Sequence, residues 1–212
     1  MKKYLFLLLA ATSTSAFAMP YVGFEYGITS IDHNYSTSYP SDNVSLTPDD
    51  SSYSFSGLIG YRFNDYGLEL GYKSSESVDS RSQMLVSDRP GYAQTRKWDT
   101  ELNAKQFTFK PVYFYYPFDE LQIKIGLGLT YTQYQYNSSS EDEYESIFDD
   151  DVQSTIERSS GESNKDNALG GIVSVGIYYM QFRDIAYGFS ASYQVDSVVT
   201  STSFMFSTVL YF

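Results

Sequence analysis

The chain has 212 residues, 26 acidic and 14 basic, and a formal net charge of −12 at pH 7. That acidity argues against binding nucleic acid, whose phosphates demand a basic patch. With no cysteine, the chain has no disulfides, thiol nucleophiles, thiolate metal sites or iron–sulfur clusters, and 22 tyrosines and 15 phenylalanines favour strands.

In chain order, Lys2-Lys3, the apolar run Tyr4–Ala11 and the small-x-small step Ala16-Phe17-Ala18 read as a secretory signal peptide over residues 1–18. Its removal leaves residues 19–212 and, with Lys2 and Lys3 gone, a net charge of −14. No later stretch approaches the roughly 20 apolar residues of a membrane helix.

The remainder alternates with period two, as strands do. A first strand near Pro20–Ile31 puts Val22, Phe24, Tyr26 and Ile28 on one face and Gly23, Glu25 and Gly27 on the other. A second, Tyr53–Phe63, and a third, Tyr66–Lys73, flank a tight turn at Asn64-Asp65. A fourth, Thr100–Tyr116, contains Pro111, which lacks a ladder donor and predicts a bulge. The parity of Asp99, Glu101, Asn103 and Lys105 matches that of Phe107. Such groups are costly in hydrocarbon, so this strand is expected to continue above a membrane, and the third with it.

The fifth strand, Leu121–Tyr134, alternates most cleanly; the sixth, seventh and eighth follow near Ala168–Met180, Ile185–Val195 and Val199–Phe212. Long polar connectors (32–52, 74–99, 137–167) alternate with short turns, and the link near Asp196-Ser197 is short.

In every strand one face is large and apolar, while the other carries glycine, serine, threonine and a few charges of both signs. A solvated face has no reason for so much glycine. A narrow eight-stranded lumen does, because it accommodates only interdigitated small and large side chains. Enclosed charges must pair, so Glu25, Arg62, Glu69, Lys73, Lys110 and Lys124 are expected to form a polar network in that lumen. The expected fold is all-β: an eight-stranded antiparallel up-and-down transmembrane barrel, side-chain plugged, with one long-loop rim outside the cell.

The alternating stretch with Phe204, Phe206, Leu210 and the terminal Phe212 resembles the assembly signal of bacterial outer-membrane barrels, which implies recognition by the barrel-assembly machinery. The chain as a whole resembles the small OmpA/OmpX-type outer-membrane family. "PYVGFEYG", an Asp/Asn-rich loop, "SFSGLIGYRF" and "YGLELGY" are similar to the accessory colonisation factor A group. That resemblance implies an outer-membrane location and a role in host colonisation or adhesion through the outer loops. The implied partners are lipid, lipopolysaccharide and a host surface or matrix ligand, for a barrel acting as a monomer.

Candidates for chemistry are few. His33, the only histidine, lies beside Asp32 and near Ser36, and would anchor a lipid A-modifying site if a hydroxyl and an acid converged on it; the plainer expectation is a solvated loop histidine. A narrow channel is a further alternative. Residues 137–167 hold ten acids and two bases, including Glu141, Asp142, Glu143, Glu145, Asp149, Asp150 and Asp151. They read as a solvated, disordered loop; without a turn glycine and distal glutamate they lack an EF-hand pattern. Ile147 and Phe148 in this loop would be either an apolar anchor for a partner or a minor local cluster. Trp98, beside Arg96 and Lys97, reads as an interfacial anchor. No cofactor and no catalytic set are expected.

Overall fold

The computed structural model describes residues 18–148, 153–159, 163–182 and 184–212. Residues 1–17 of the expected signal peptide and Asp149, Asp150 and Asp151 fall outside those residues.

The elements are β1 (Ala18–Asp32), a small hairpin of β2 (Thr37–Tyr39) and β3 (Val44–Leu46), β4 (Ser51–Phe63), β5 (Tyr66–Leu85), β6 (Tyr92–Phe118), β7 (Leu121–Ser146), β8 (Gln153–Ser159), β9 (Ser163–Phe182), β10 (Ile185–Asp196) and β11 (Thr200–Tyr211). Pairing runs β6-β5-β4-β1-β11-β10-β9-β7, and β6 with β7 closes the ring. Eight antiparallel strands therefore make a barrel with no edge at membrane depth. Its seam pairs Tyr21 with Tyr211 and runs to Asp32 with Thr200.

The greasy faces point outward. Phe24, Tyr26, Ile28, Phe55, Ile59, Leu70, Phe107, Leu127, Leu129, Val175, Phe189 and Phe206 are all exposed. Tyr53, Tyr72, Phe107, Tyr131 and Tyr193 ring the upper margin of this band, and Tyr61, Tyr66, Tyr113, Tyr115, Tyr179 and Tyr187 the lower, as interfacial girdles do. The short turns at the lower rim are tied by Phe114 N–H to Asp65 O (2.7 Å), Met180 N–H to Glu120 O (2.7 Å) and Tyr211 N–H to Asp184 O (2.8 Å).

Inside, layers fill the lumen. An aromatic floor of Tyr21, Phe114, Tyr178 and Tyr211 packs with Leu58, Val112 and Val209. Glycine makes this possible: a methyl at Gly60 would overlap the Tyr21 ring, and one at Gly176 the Tyr178 ring. A charged and hydroxyl-rich layer follows, and above it an apolar lid of Ile31, Leu102, Tyr134, Tyr136, Ala168 and Val199.

The expected continuation of the third and fourth strands above the membrane is present, with β5 running to Leu85 and β6 starting at Tyr92. Other expectations are corrected. The connector after the fifth strand is largely strand among the described residues: β7 runs to Ser146 with β8 beside it. A 27-residue β6 far exceeds the roughly 10 residues a tilted strand needs to cross a bilayer. The acidic segment is thus not a disordered loop up to Ser146; pairing with β6 satisfies its backbone, and outward-facing carboxylates sit in water. Pro111 causes no bulge. Leu68 faces it in unbroken register with β5, and its missing donor falls on the β7 side, where the pairing lapses between Phe109 and Val112 but resumes unshifted. The irregularity lies between Tyr115 and Phe118 instead.

Candidate functional site

Two places carry charge in defined geometry. The first is the lumen. Glu69 projects inward from β5 and is 2% exposed. Its carboxylate meets Lys124 Nζ at 2.7 Å on Oε1 and Lys110 Nζ at 2.9 Å on Oε2, and accepts the Tyr21 hydroxyl at 3.0 Å. Lys73 donates to Ser203 Oγ (3.1 Å). Glu25 accepts from Ser207 Oγ (3.0 Å) and Ser190 Oγ (3.4 Å). Arg62 is not part of this group. It lies near the lower rim with its guanidinium over the Tyr116 and Phe114 rings and donates to Asn64 O (2.7 Å). Its position one residue from the end of β4 puts it below the aromatic floor.

The second place is the tall sheet on the long-connector side, where β5, β6, β7 and β8 rise above the apolar band. The β2–β3 hairpin folds against its inner face, with Tyr39, Val44 and Leu46 packed on Trp98. At the hairpin turn, where Asn43 adopts φ 53°, Asp42 accepts Arg96 Nη1 (2.6 Å), Arg158 Nη1 (2.9 Å) and the Trp98 indole N–H (3.1 Å). Arg96 also forks onto Asp142 at 2.7 and 3.1 Å. Burial pushes the Asp42 carboxyl up, but the Trp98 hydrogen bond and the Arg158 and Arg96 charges outweigh it and hold the group below the usual carboxylate range.

Trp98 is therefore no interfacial anchor: it is 1% exposed, because even-numbered residues of β6 point inward. Asp142 leaves the acidic set for the same reason, on β7. Glu141, Glu143 and Glu145 point outward, with Glu143 paired to Lys97 (2.8 Å). His33 is buried rather than solvated. Its Nδ1 accepts the Tyr35 backbone N–H (3.3 Å), and among the described residues no hydroxyl or carboxylate bonds it, Asp32 and Ser36 included. The hairpin latch escaped the sequence reading, although "YPSDNV" carries a turn cue between inward-facing Tyr39 and Val44.

The tall sheet has an open side. Above Glu76, which pairs with Tyr53 at the end of the β4 ladder, β5 pairs only with β6 among the described residues. The Pro111 nitrogen faces β7, so even-numbered residues of β6 bond β5, and odd-numbered residues of β5 answer them. Val78, Ser80, Ser82 and Met84 consequently turn their backbone N–H and C=O groups away from β6, to the open edge. At the tip, Val86 is 97% and Phe148 88% exposed; Ile147 N–H bonds Gly91 O (3.0 Å).

A family model described as an outer membrane protein beta-barrel domain matches residues 4–200. Among solved structures, Neisserial surface protein A is similar at TM-score 0.58 and 12% identity, over 91% of this chain and 97% of that one. Ail, the attachment invasion locus protein of Yersinia pestis, in complex with the heparin analogue sucrose octasulfate, gives 0.52 and 15%, over 92% and 99%. OprG from Pseudomonas aeruginosa gives 0.51 and 13%, over 92% and 96%. These identities support the shared fold. No curated protein matches the sequence.

Proposed function

The chain belongs to the outer membrane protein β-barrel domain family, and from that premise we propose that it is a non-enzymatic surface adhesin whose extracellular sheet captures an extended polypeptide strand on the open edge of β5. The carrying observation is that edge. Residues 78–85 present a row of unpaired backbone groups well above the bilayer, and such a row is a template for strand addition. No proline or bulge blunts it.

The chemistry of the partner follows from charge. Asp99, Glu101, Glu141, Glu143 and Glu145 all point outward on the adjoining strands, and the chain carries a net −12. A basic peptide is attracted, and a sulfated polysaccharide such as the one Ail's ligand mimics is repelled. Exposed Met84 and Val86 beside the edge supply apolar contact. The similarity to the colonisation-factor group agrees with a host-facing role, with lipopolysaccharide as the surrounding lipid and the assembly machinery reading Phe204 to Phe212. His33, bound to a backbone N–H and lacking a hydroxyl partner, gives the lipid A-modifying alternative no support.

The test replaces Ser80 and Ser82 with proline. Both nitrogens face the open edge, so the β5–β6 ladder is retained while the edge loses two donors. Binding of the purified barrel to host-cell surfaces and matrix proteins should fall at least tenfold, with Ser80→Ala and Ser82→Ala binding as the parent does. Unchanged binding by the proline variant sinks the edge mechanism.

A further inference from the structure

Between the aromatic floor and the apolar lid, the described residues of the lumen include one more cation than carboxylates. Lys73, Lys110 and Lys124 share a cavity of about 50 Å³ with Glu25 and Glu69. Glu69 is already divided between Lys110 and Lys124, and Lys73 makes no direct ion pair among the described residues, only the bond to Ser203. An enclosed charge without a partner is strongly disfavoured.

A second feature points the same way. Tyr178 is fully buried, lines this cavity, and has a hydroxyl with no hydrogen-bond partner among the described residues. Its ring lies over Gly176, which is itself on the cavity wall. Lys124 Nζ stands 4.9 Å from the centre of that ring. Ammonium groups and a phenol thus surround a space that lacks one negative charge and one acceptor.

We propose that this cavity is a binding site for a single halide-sized monovalent anion, held by the Lys73 and Lys110 ammonium groups and the Tyr178 hydroxyl. Size and charge select the class. The cavity holds roughly three water-sized volumes, too little for a polyatomic dianion with its shell, and one negative charge brings this layer to neutrality. A cation would add to the excess. The aromatic floor and the apolar lid close the layer below and above, so the ion is a structural component and not a permeant one. This site is independent of the adhesion reading.

Crystals of the full barrel grown in sodium bromide would be measured at the bromine edge. The expected result is one anomalous peak in the lumen within contact of Lys73, Lys110 and Tyr178. A cavity holding only water in bromide-grown crystals overturns the proposal. Lys110→Met removes the excess charge and should abolish the peak. Should that variant fail to fold, Tyr178→Phe keeps the ring and removes the donor, and should lower bromide occupancy severalfold. Full occupancy in either variant overturns the assignment.

Discussion

At the scale of single residues, charge that is enclosed differs in kind from charge on display. Glu69 is the hub of the lumen, with Lys110, Lys124 and Tyr21 on one carboxylate. Removing one partner of a buried pair typically costs about 3–5 kcal/mol. Glu69→Gln is therefore expected to destabilise the refolded barrel by about 3 kcal/mol, measured by urea unfolding in micelles; Glu141→Gln, on the outward face, should change little. Asp42 makes a pH-dependent contribution. Its folded carboxyl lies below its ordinary value, so its contribution is complete above about pH 4 and is lost as the pH falls through the lowered folded value. Trp98, the only tryptophan, bonds Asp42 directly and reports the change. Its emission should stay blue-shifted from neutral pH to about 4 and move to the red below, while Asp42→Ala should show red emission already at pH 7.

At the scale of elements, alternation was fully legible where one face met hydrocarbon. Leu121–Thr132 and Ile185–Val195 carry the period throughout, and the structure turns each side chain as the pattern implies. Above the membrane, parity foretold the tall β5 and β6, but β7 beyond Tyr134 was read as loop because both faces there are largely polar. Gln133, Gln135, Asn137, Ser139 and Glu141 alternate with Tyr134, Tyr136, Ser138, Ser140 and Asp142, a contrast that composition reads as loop. The clue was parity: Asp99 and Glu101 share the face of Phe107. The hairpin was hidden for another reason. Its reason to fold is tertiary, since Tyr39, Val44 and Leu46 gain burial only against Trp98, a residue more than 50 positions away. The same logic says which element yields first. Asp42→Ala should raise amide exchange in residues 37–46 by an order of magnitude or more while leaving β1 and β11 protected.

For the whole molecule, the barrel is strongly asymmetric. β6 and β7 have 27 and 26 residues, whereas β10 and β11 have 12 each. The mouth is therefore slanted, and the tall wall places the open β5 edge and the exposed tip farthest from the lipid. Phe212 lies exposed below the lower girdle, its N–H bonded to Pro20 O (2.9 Å). If the assembly machinery reads this end, Phe212→Ala should cut the amount of barrel in the outer membrane severalfold, by immunoblot of membrane fractions. Refolding of the purified chain in micelles should be nearly unaffected. Equal loss in both settings would mean that the aromatic serves the fold and not its recognition.

The seam joins position 21 to position 211, so the pairing that completes the cylinder brings together strands that lie far apart in the sequence. Without it β1 and β11 each keep one flank of unpaired backbone groups, and hydrocarbon offers no water to fill it. A partly zipped cylinder is accordingly disfavoured inside a bilayer, and parting the seam there costs more than the same opening would in water.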